Sequence, residues 1–467
     1  MTDRLCYNRR DFFTFILILS GAVSTVMIFS VCRYFGLRIL FAPVLIMGMF
    51  LLLNYRVIGK NSYEPLKYLL LGSIIFLAFH FLYTISKSYL AIPQWDYIAF
   101  YLYSLAGQSG GNFYDPELFR EIFGSHKLGP LTTPVFVEEV VDVGFPYPPF
   151  AMLLFFPLGW FDLQTGYFIW QSILIIFLIA GIYLLLNIFS PGKENGNEKI
   201  IFTMVIIHLI FLFPGITSSF RFAQTSPVIF LFLLLLLKRL NHWDAGIYLA
   251  IMIMIKPLAV LFGVWFLMNR RWNVIAAAFV SGVVILVMTA MIFGFNVFTE
   301  YFASPPTDRI PEFVYSEPIN KSLSAVLLRL YPTHLTFMDQ SGITMLIISI
   351  SILLLGFTAM VSRRIAEKSA RLSFLVFIPF GLLVYPASLA HYSLLLIPVI
   401  LGIFREKYRD FDKPLFLILL IAIYLAAFYN MFYLNVLLLS YFSYLALRFK
   451  TQNHSVANQP AIPGIQI

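Results

Sequence analysis

A chain of 467 residues that is 60% hydrophobic and only 12% charged, with a mean hydropathy of +0.85, carries more apolar side chain than a water-soluble core can bury. The bilayer must therefore be the solvent for most of it, and the long continuous apolar runs at 16–31 and 228–237 exclude the alternating short segments of a β-barrel. The net charge of +9 comes with no basic cluster interleaved with aromatics, which excludes nucleic-acid binding; Lys and Arg fall mainly between apolar runs, as topology signals do.

The predicted elements start with an amino terminus that Arg4, Arg9 and Arg10 place in the cytoplasm. Helices over roughly 12–32 and 38–54 return the chain to a cytoplasmic loop with Arg56, Lys60 and Lys67. The first apolar run, about 20 residues long, exceeds a signal-peptide core, so it reads as a retained span. Cys6 and Cys32 flank it on opposite sides and form no disulfide. A third helix, roughly 68–88, carries the chain out to a long polar loop over 89–147, the first of two extracytoplasmic loops.

Within that loop Tyr97, Phe100, Tyr101 and Leu105 recur at helical spacing, which predicts a short helix over 95–106 lying along the membrane surface. Ser109-Gly110-Gly111-Asn112 breaks it, and an aromatic, acidic stretch with Glu138, Glu139 and Asp142 reads as a folded cap. From Pro148 onward the segments 148–161, 165–189, 200–213 and 226–240 are punctuated by proline. Several fall short of the ~20 residues a span needs, so one of them is expected to dip in and return. The run from Ala245 is expected to turn at Lys256-Pro257, at the outer face, and come back to Arg270-Arg271, because proline removes a donor and clashes with the preceding turn. A helix over 273–295 leads to a second outer loop, 296–321. The span 342–362 descends to Arg363-Arg364, and the chain rises again to Tyr385-Pro386 and returns at Arg405. A hairpin over 411–450 and a disordered cytoplasmic tail over 451–467 close the pattern, leaving both termini in the cytoplasm.

This topology brings Asp96, Lys256 and His391 to the outer side. A carboxylate there can take a proton from a hydroxyl, an ammonium can pair with phosphate, and an imidazole can hydrogen-bond either partner. Arg221 lies in an adjacent outer loop. Each has an ordinary alternative: Asp96 as a helix cap, His391 as a bonded structural histidine and Arg221 as an interfacial anchor. Lys256 is hardest to explain structurally, since ionisable groups within spans are costly. Trp95, Tyr97 and Tyr101 beside Asp96 can stack on a sugar, although lipid contact accounts for most of the aromatic content. His80, His208 and His334 lack partners at ligand spacing, so no metal and no cofactor is expected.

The order of Asp96-Tyr97, Tyr114-Asp115-Pro116, Tyr147-Pro148-Pro149-Phe150, Gln224-Thr225-Ser226, Lys256-Pro257, Asn320-Lys321-Ser322-Leu323 and His391-Tyr392 resembles glycosyltransferase family 87 over about residues 68–405. Ala223 stands where the family pattern has glycine, Lys321 replaces the usual polar neighbour of Asn320, and the two helices within 1–60 look like an addition to a core over 61–410. The resemblance implies an all-α polytopic membrane protein of the class C glycosyltransferase fold, with about 12 to 13 spanning helices. It implies inverting transfer of a hexose, typically mannose, from a polyprenyl monophosphate to a hydroxyl of a glycan or glycolipid acceptor, outside a bacterial cytoplasmic membrane. Asp96 matches the catalytic aspartate and His391 a histidine near the donor. Lys256, with Arg221, is assigned to the donor phosphate on charge. Trp95, Tyr97, Tyr101, Gln224, Asn320 and Tyr392 are the expected substrate contacts.

Two alternatives stay open. A polymerase or ligase using undecaprenyl-diphosphate glycans would place more cations in its large loop than Arg120 and Lys127. A lipid-linked sugar flippase or transporter would line several spans with charge at the bilayer centre.

Overall fold

Apolar runs of Leu, Ile and Phe fold as helices here because hydrocarbon offers no water to satisfy backbone N–H and C=O groups. The computed structural model describes residues 74–75, 82, 95–110, 114–125, 147–189, 200, 203–204, 206–207, 210, 213–303, 320–330, 340–407 and 431–457, and among these there is no strand. The two added helices, the acidic part of the first outer loop, most of the second outer loop and the first arm of the final hairpin lie outside the described residues.

The first described helix, α1 (Trp95–Gln108), sits where the spacing predicts it. Protein covers it on more than the one apolar face. Ile98, Leu102, Tyr103 and Ala106 are buried along with Tyr97, Phe100, Tyr101 and Leu105, so the helix is enclosed nearly all round. The cause is the proline-rich segment after Tyr147, which packs along α1 together with α2 (Pro116–Ser125). That segment is a 3-10 turn (Pro149–Ala151), one α turn (Met152–Phe155) and a second 3-10 turn (Phe156–Trp160). Its irregular backbone leaves carbonyls that α1 satisfies: Ser104 Oγ and Gln108 Nε2 both donate to Phe156 O, at 3.0 and 2.9 Å, and Tyr101 Oη donates to Phe161 O at 2.9 Å. In return the Gly159 N–H donates to Ser104 Oγ at 2.7 Å, and a Cβ at Gly159 would fall 2.5 Å from that oxygen.

Asp162 then starts α3 (Leu163–Phe189) by accepting from the backbone N–H groups of Gln164 and Thr165, which are otherwise orphans of the first turn. With 27 residues α3 is long and apolar enough to cross a membrane. The short elements α4 (Pro214–Arg221) and α5 (Ser226–Lys238) have 8 and 13 residues and fall below span length, as the proline punctuation foretells.

Helix α6 (Ala245–Ile255) breaks at Lys256, and the chain continues through a 3-10 turn (Pro257–Ala259) into α7 (Val260–Met268). Pro257 has no N–H to continue the ladder and pushes Lys256 to an extended φ/ψ of −145°/122°. Gly263 of α7 lies beside Leu249 of α6, so the two arms form a hairpin. The following α8 (Trp272–Phe293) runs alongside α6 in the same direction, with Gly246 against Val274 and Ala278 and Met254 reaching Gly282. The outward arm has 11 residues, about 16 Å of helix against a hydrocarbon core of about 30 Å.

Among the described residues, helix α8 and, beyond α9 (Asn296–Ala303) and α10 (Leu323–Leu330), helix α11 (Gln340–Ala366) are the other helices long and apolar enough to cross a membrane, and both expose apolar side chains such as Phe279, Met291, Ile352 and Leu353. A second broken hairpin follows: α12 (Ala370–Leu375) and α13 (Phe377–Val384) run one way. A 3-10 segment (Ala390–Leu396) and α14 (Ile397–Lys407) run back. Trp265 Nε1 donates to Ser373 Oγ, which is 2.7 Å from Ser362 Oγ, tying α7, α11 and α12 together. The last helix, α15 (Met431–Ala457), continues past Thr451, so the first residues of the expected disordered tail are helical.

Candidate functional site

Gln224 is placed by the way α4 ends. The N–H of Gln224 donates to Ser219 O at 2.8 Å and that of Ala223 to Phe220 O at 3.3 Å, the paired bonds of a Schellman C-cap. Such a cap needs its penultimate residue in the left-handed region, where glycine is usual; here Ala223 occupies it with φ +54°. The indole of Trp170 on α3 holds this turn by donating Nε1–H to Ala223 O at 2.7 Å.

The turn delivers the Gln224 amide between two charges. Its Nε2 donates to Asp96 Oδ2 at 2.5 Å, and its Oε1 accepts from Lys256 Nζ at 3.2 Å and, more weakly, from Tyr147 Oη at 3.4 Å. Gln224 is 3% exposed and Lys256 5% exposed, so both are inside the protein. The Lys256 ammonium lies between two aromatic faces, 4.7 Å from the Tyr147 centroid and 4.6 Å from that of Tyr392, and the electron-rich faces of the rings partly replace its lost hydration. His391 packs on Tyr392 with ring centroids 4.4 Å apart, and its buried Nε2 has no hydrogen-bond partner among the described residues. Asp96 sits in the first turn of α1, which is not a spanning helix. Burial raises its pKa above the ordinary 3.8, opposed by the Gln224 bond and the Lys256 charge.

Asp96, Gln224, Lys256, Tyr392 and His391 are thus brought together, as their candidate roles require. Tyr97 and Tyr101 are not. Tyr97 packs edge-on against Tyr167 at 4.8 Å, and the Tyr101 hydroxyl is bonded to the backbone of Phe161. Asn320 is fully buried with both ends of its amide in use, donating to Pro386 O at 2.7 Å and accepting from Ser322 N. It clips the 320–324 segment to the loop that leads to His391. Arg221 is exposed, over the ring of Phe222 at 5.4 Å. The Trp95 side chain lies outside the described residues. Two site residues escape the sequence-based list, Tyr147 and Trp170; the first was signalled by the Tyr147-Pro148-Pro149 element, the second by nothing local. Among the described residues no group of three or more His, Cys, Asp or Glu converges as a metal site.

A helical membrane protein with a half-buried acid, a buried amide and a buried ammonium joined in one line of hydrogen bonds is the class that fold and site define. The model of glycosyltransferase family 87 matches residues 145–386, and the chain belongs to that family. The matched stretch contains Tyr147, Gln224 and Lys256; Asp96 and His391 fall outside it. The chain is similar to a polyprenol-phosphate-mannose-dependent alpha-(1-2)-phosphatidylinositol pentamannoside mannosyltransferase of Mycolicibacterium smegmatis, 26% identical over 196 residues, 41% of this chain and 44% of that protein. An alpha-(1->3)-arabinofuranosyltransferase of Mycobacterium tuberculosis is 26% identical over 153 residues, 32% of this chain and 34% of the relative. A polyprenol-phosphate-mannose-dependent alpha-(1-2)-phosphatidylinositol mannoside mannosyltransferase of the same organism is 22% identical over 275 residues, 56% and 62% respectively. These matches span less than two thirds of each relative's length. No solved structure matches the chain.

Proposed function

We propose that this protein transfers a hexose, mannose in the simplest reading, from a polyprenyl monophosphate to a hydroxyl of a glycan or glycolipid acceptor on the extracytoplasmic face, with inversion at the anomeric carbon. The observation that carries the reading is the Asp96–Gln224–Lys256 array. Asp96 accepts the acceptor's proton as the new bond to the anomeric carbon forms, and the bond from that carbon to the phosphate oxygen breaks with its electron pair on the phosphate. Lys256 faces the phosphate as its negative charge grows. His391 offers a buried nitrogen beside the same position. The step is balanced with no cofactor or metal as reactant. An apolar groove of about 610 Å³, lined by Leu323, Leu354, Leu383 and Leu439, suits an isoprenoid tail.

The test is turnover of polyprenyl-phosphate mannose by the purified, lipid-reconstituted protein. Wild type is expected to form product and Asp96→Asn none, while the variant still folds. Retained turnover in that variant removes Asp96 from the step. Mass spectrometry of envelope glycans with and without the protein should differ by one hexose. Loss of a whole repeat polymer favours the polymerase reading, and a pentose-sized difference moves the transferred group toward the arabinofuranosyl named for that relative.

A further inference from the structure

Both ends of the Gln224 amide bond protein groups, one N–H to Asp96 and the carbonyl oxygen to Lys256 and Tyr147, and the orientation of the ends is dictated by chemistry. Only the NH₂ end can meet a carboxylate and only the carbonyl end an ammonium, and in that orientation the carbonyl also accepts from the Tyr147 hydroxyl. Among the described residues, neither Asp96 nor Lys256 makes an ion pair within the 4.0 Å that defines one, although each touches the same side chain. Oppositely charged groups this close in a low-dielectric interior attract strongly, and nothing but the Gln224 amide stands in the line of bonds between them. The backbone that presents it carries a cost, a left-handed alanine worth about 1 to 2 kcal/mol, and a buried tryptophan clamps that turn. A side chain placed only to greet substrate would keep one end of its amide open.

We propose that Gln224 is a positioning residue that holds Asp96 and Lys256 apart, preventing their collapse into a direct ion pair, so that the carboxylate stays basic and the ammonium stays available to phosphate. Oδ2 of Asp96 is occupied by the amide, and Oδ1, which accepts no hydrogen bond from the described residues, is the atom left for an acceptor hydroxyl. The charged and titratable groups that face Asp96 are Lys256 from the α6–α7 break, Tyr147 from the proline-rich segment and Tyr392 from the return arm of the second hairpin, with His391 behind it. Of these only Lys256 can neutralise it directly.

The inference rests on the proposed transfer for its meaning, but its test does not need turnover. The carboxyl band of Asp96, identified by its loss in Asp96→Asn, is followed by infrared spectroscopy against pH in the full chain in lipid nanodiscs. In Gln224→Met, which keeps the length and removes both polar ends, the titration midpoint is expected to fall by about 1 unit or more as the carboxylate pairs with Lys256. In Gln224→Met combined with Lys256→Met the midpoint should return to or exceed the wild-type value. Should Gln224→Met not fold, Gln224→Asn, too short to reach both groups, decides the matter with a fall in the same direction. A midpoint unmoved or raised by loss of the amide, or a fall that persists without Lys256, overturns the spacer role. Absence of turnover with polyprenyl-phosphate mannose, with the midpoints as expected, overturns the functional reading alone.

Discussion

Trp170 and Ala223 are joined by a 2.7 Å hydrogen bond from the indole N–H to the carbonyl of a residue in the left-handed region. The contact links the spanning helix α3 to the turn that aims Gln224, so packing far from the reacting groups sets the geometry between them. Both residues are essentially without solvent exposure, and a lost bond there cannot be replaced by water.

Ala223→Gly should change stability by no more than about 1 kcal/mol. Relief of the left-handed backbone, about 1 to 2 kcal/mol, is offset by the loss of a buried methyl, about 0.8 kcal/mol, and by the entropy of glycine. Ala223→Val should cost more than 2 kcal/mol, since a β-branched residue is still less tolerant of positive φ and the site is closed. Thermal unfolding in detergent compares the two; equal melting temperatures would contradict the strain argument.

Trp170→Phe leaves the Ala223 carbonyl buried and unbonded, at a cost of about 1 to 3 kcal/mol. Turnover should fall with it, because the C-cap that carries Gln224 loosens. An unchanged melting temperature would mean that the indole bond does not hold the turn.

A carboxyl whose folded-state pKa is raised binds its proton more tightly folded than unfolded, so ionising it opposes folding. That cost is absent well below the unfolded value of 3.8, grows as pH rises and is complete above the folded value. The melting temperature of Asp96→Asn should therefore exceed that of wild type by more at about pH 8 than at about pH 4. For turnover, the same shift sets an acid limb above the ordinary carboxylate range, since the base must be ionised. A limb at or below that range would contradict burial as the dominant influence.

Lys256→Met is expected to raise the donor KM about 10- to 100-fold, the equivalent of one charge-assisted hydrogen bond of about 1.5 to 3 kcal/mol. It also removes the cation that steadies ionised Asp96, so the acid limb should move to higher pH. Donor kinetics across pH check both effects, and an unchanged KM would separate Lys256 from the phosphate.

Gly246 is packed so closely on α8 that an added Cβ would meet Val274 O at 2.2 Å and Ala278 N at 2.6 Å, both backbone atoms. Gly246→Leu should therefore part α6 from α8, displace the hairpin tip and lose Lys256 from between Tyr147 and Tyr392, with failure to insert or a steep fall in folded yield. Gly356, which has open space around it, is the control: Gly356→Leu should insert normally.

Much of the fold is legible in the chain. Lys256-Pro257 announces its break because proline lacks a donor and restricts the residue before it, and the spans α8 and α11 announce themselves by uninterrupted apolar length. The full enclosure of α1 is not legible in its periodicity, which shows only one good apolar face. The second is covered by a proline-rich segment whose free carbonyls call for Ser104 and Gln108 as donors. Tyr97 and Tyr101 flank Asp96 in sequence, but a helix turns about 100° per residue, which carries them toward α3 and away from Gln224.

By itself the sequence determined that this protein lives in a bilayer as helices, where those helices break, and which acid, ammonium and imidazole were worth watching. These follow from hydropathy, proline chemistry and the cost of burying charge, all local or compositional. Only the tertiary structure decided that Gln224 lies between Asp96 and Lys256, that Tyr147 and Tyr392 enclose the ammonium, and that Trp170 holds the turn behind them. Those contacts join residues 32 to 136 positions apart, and no periodicity or local preference reaches across such distances; only the packing of the broken helices against one another does.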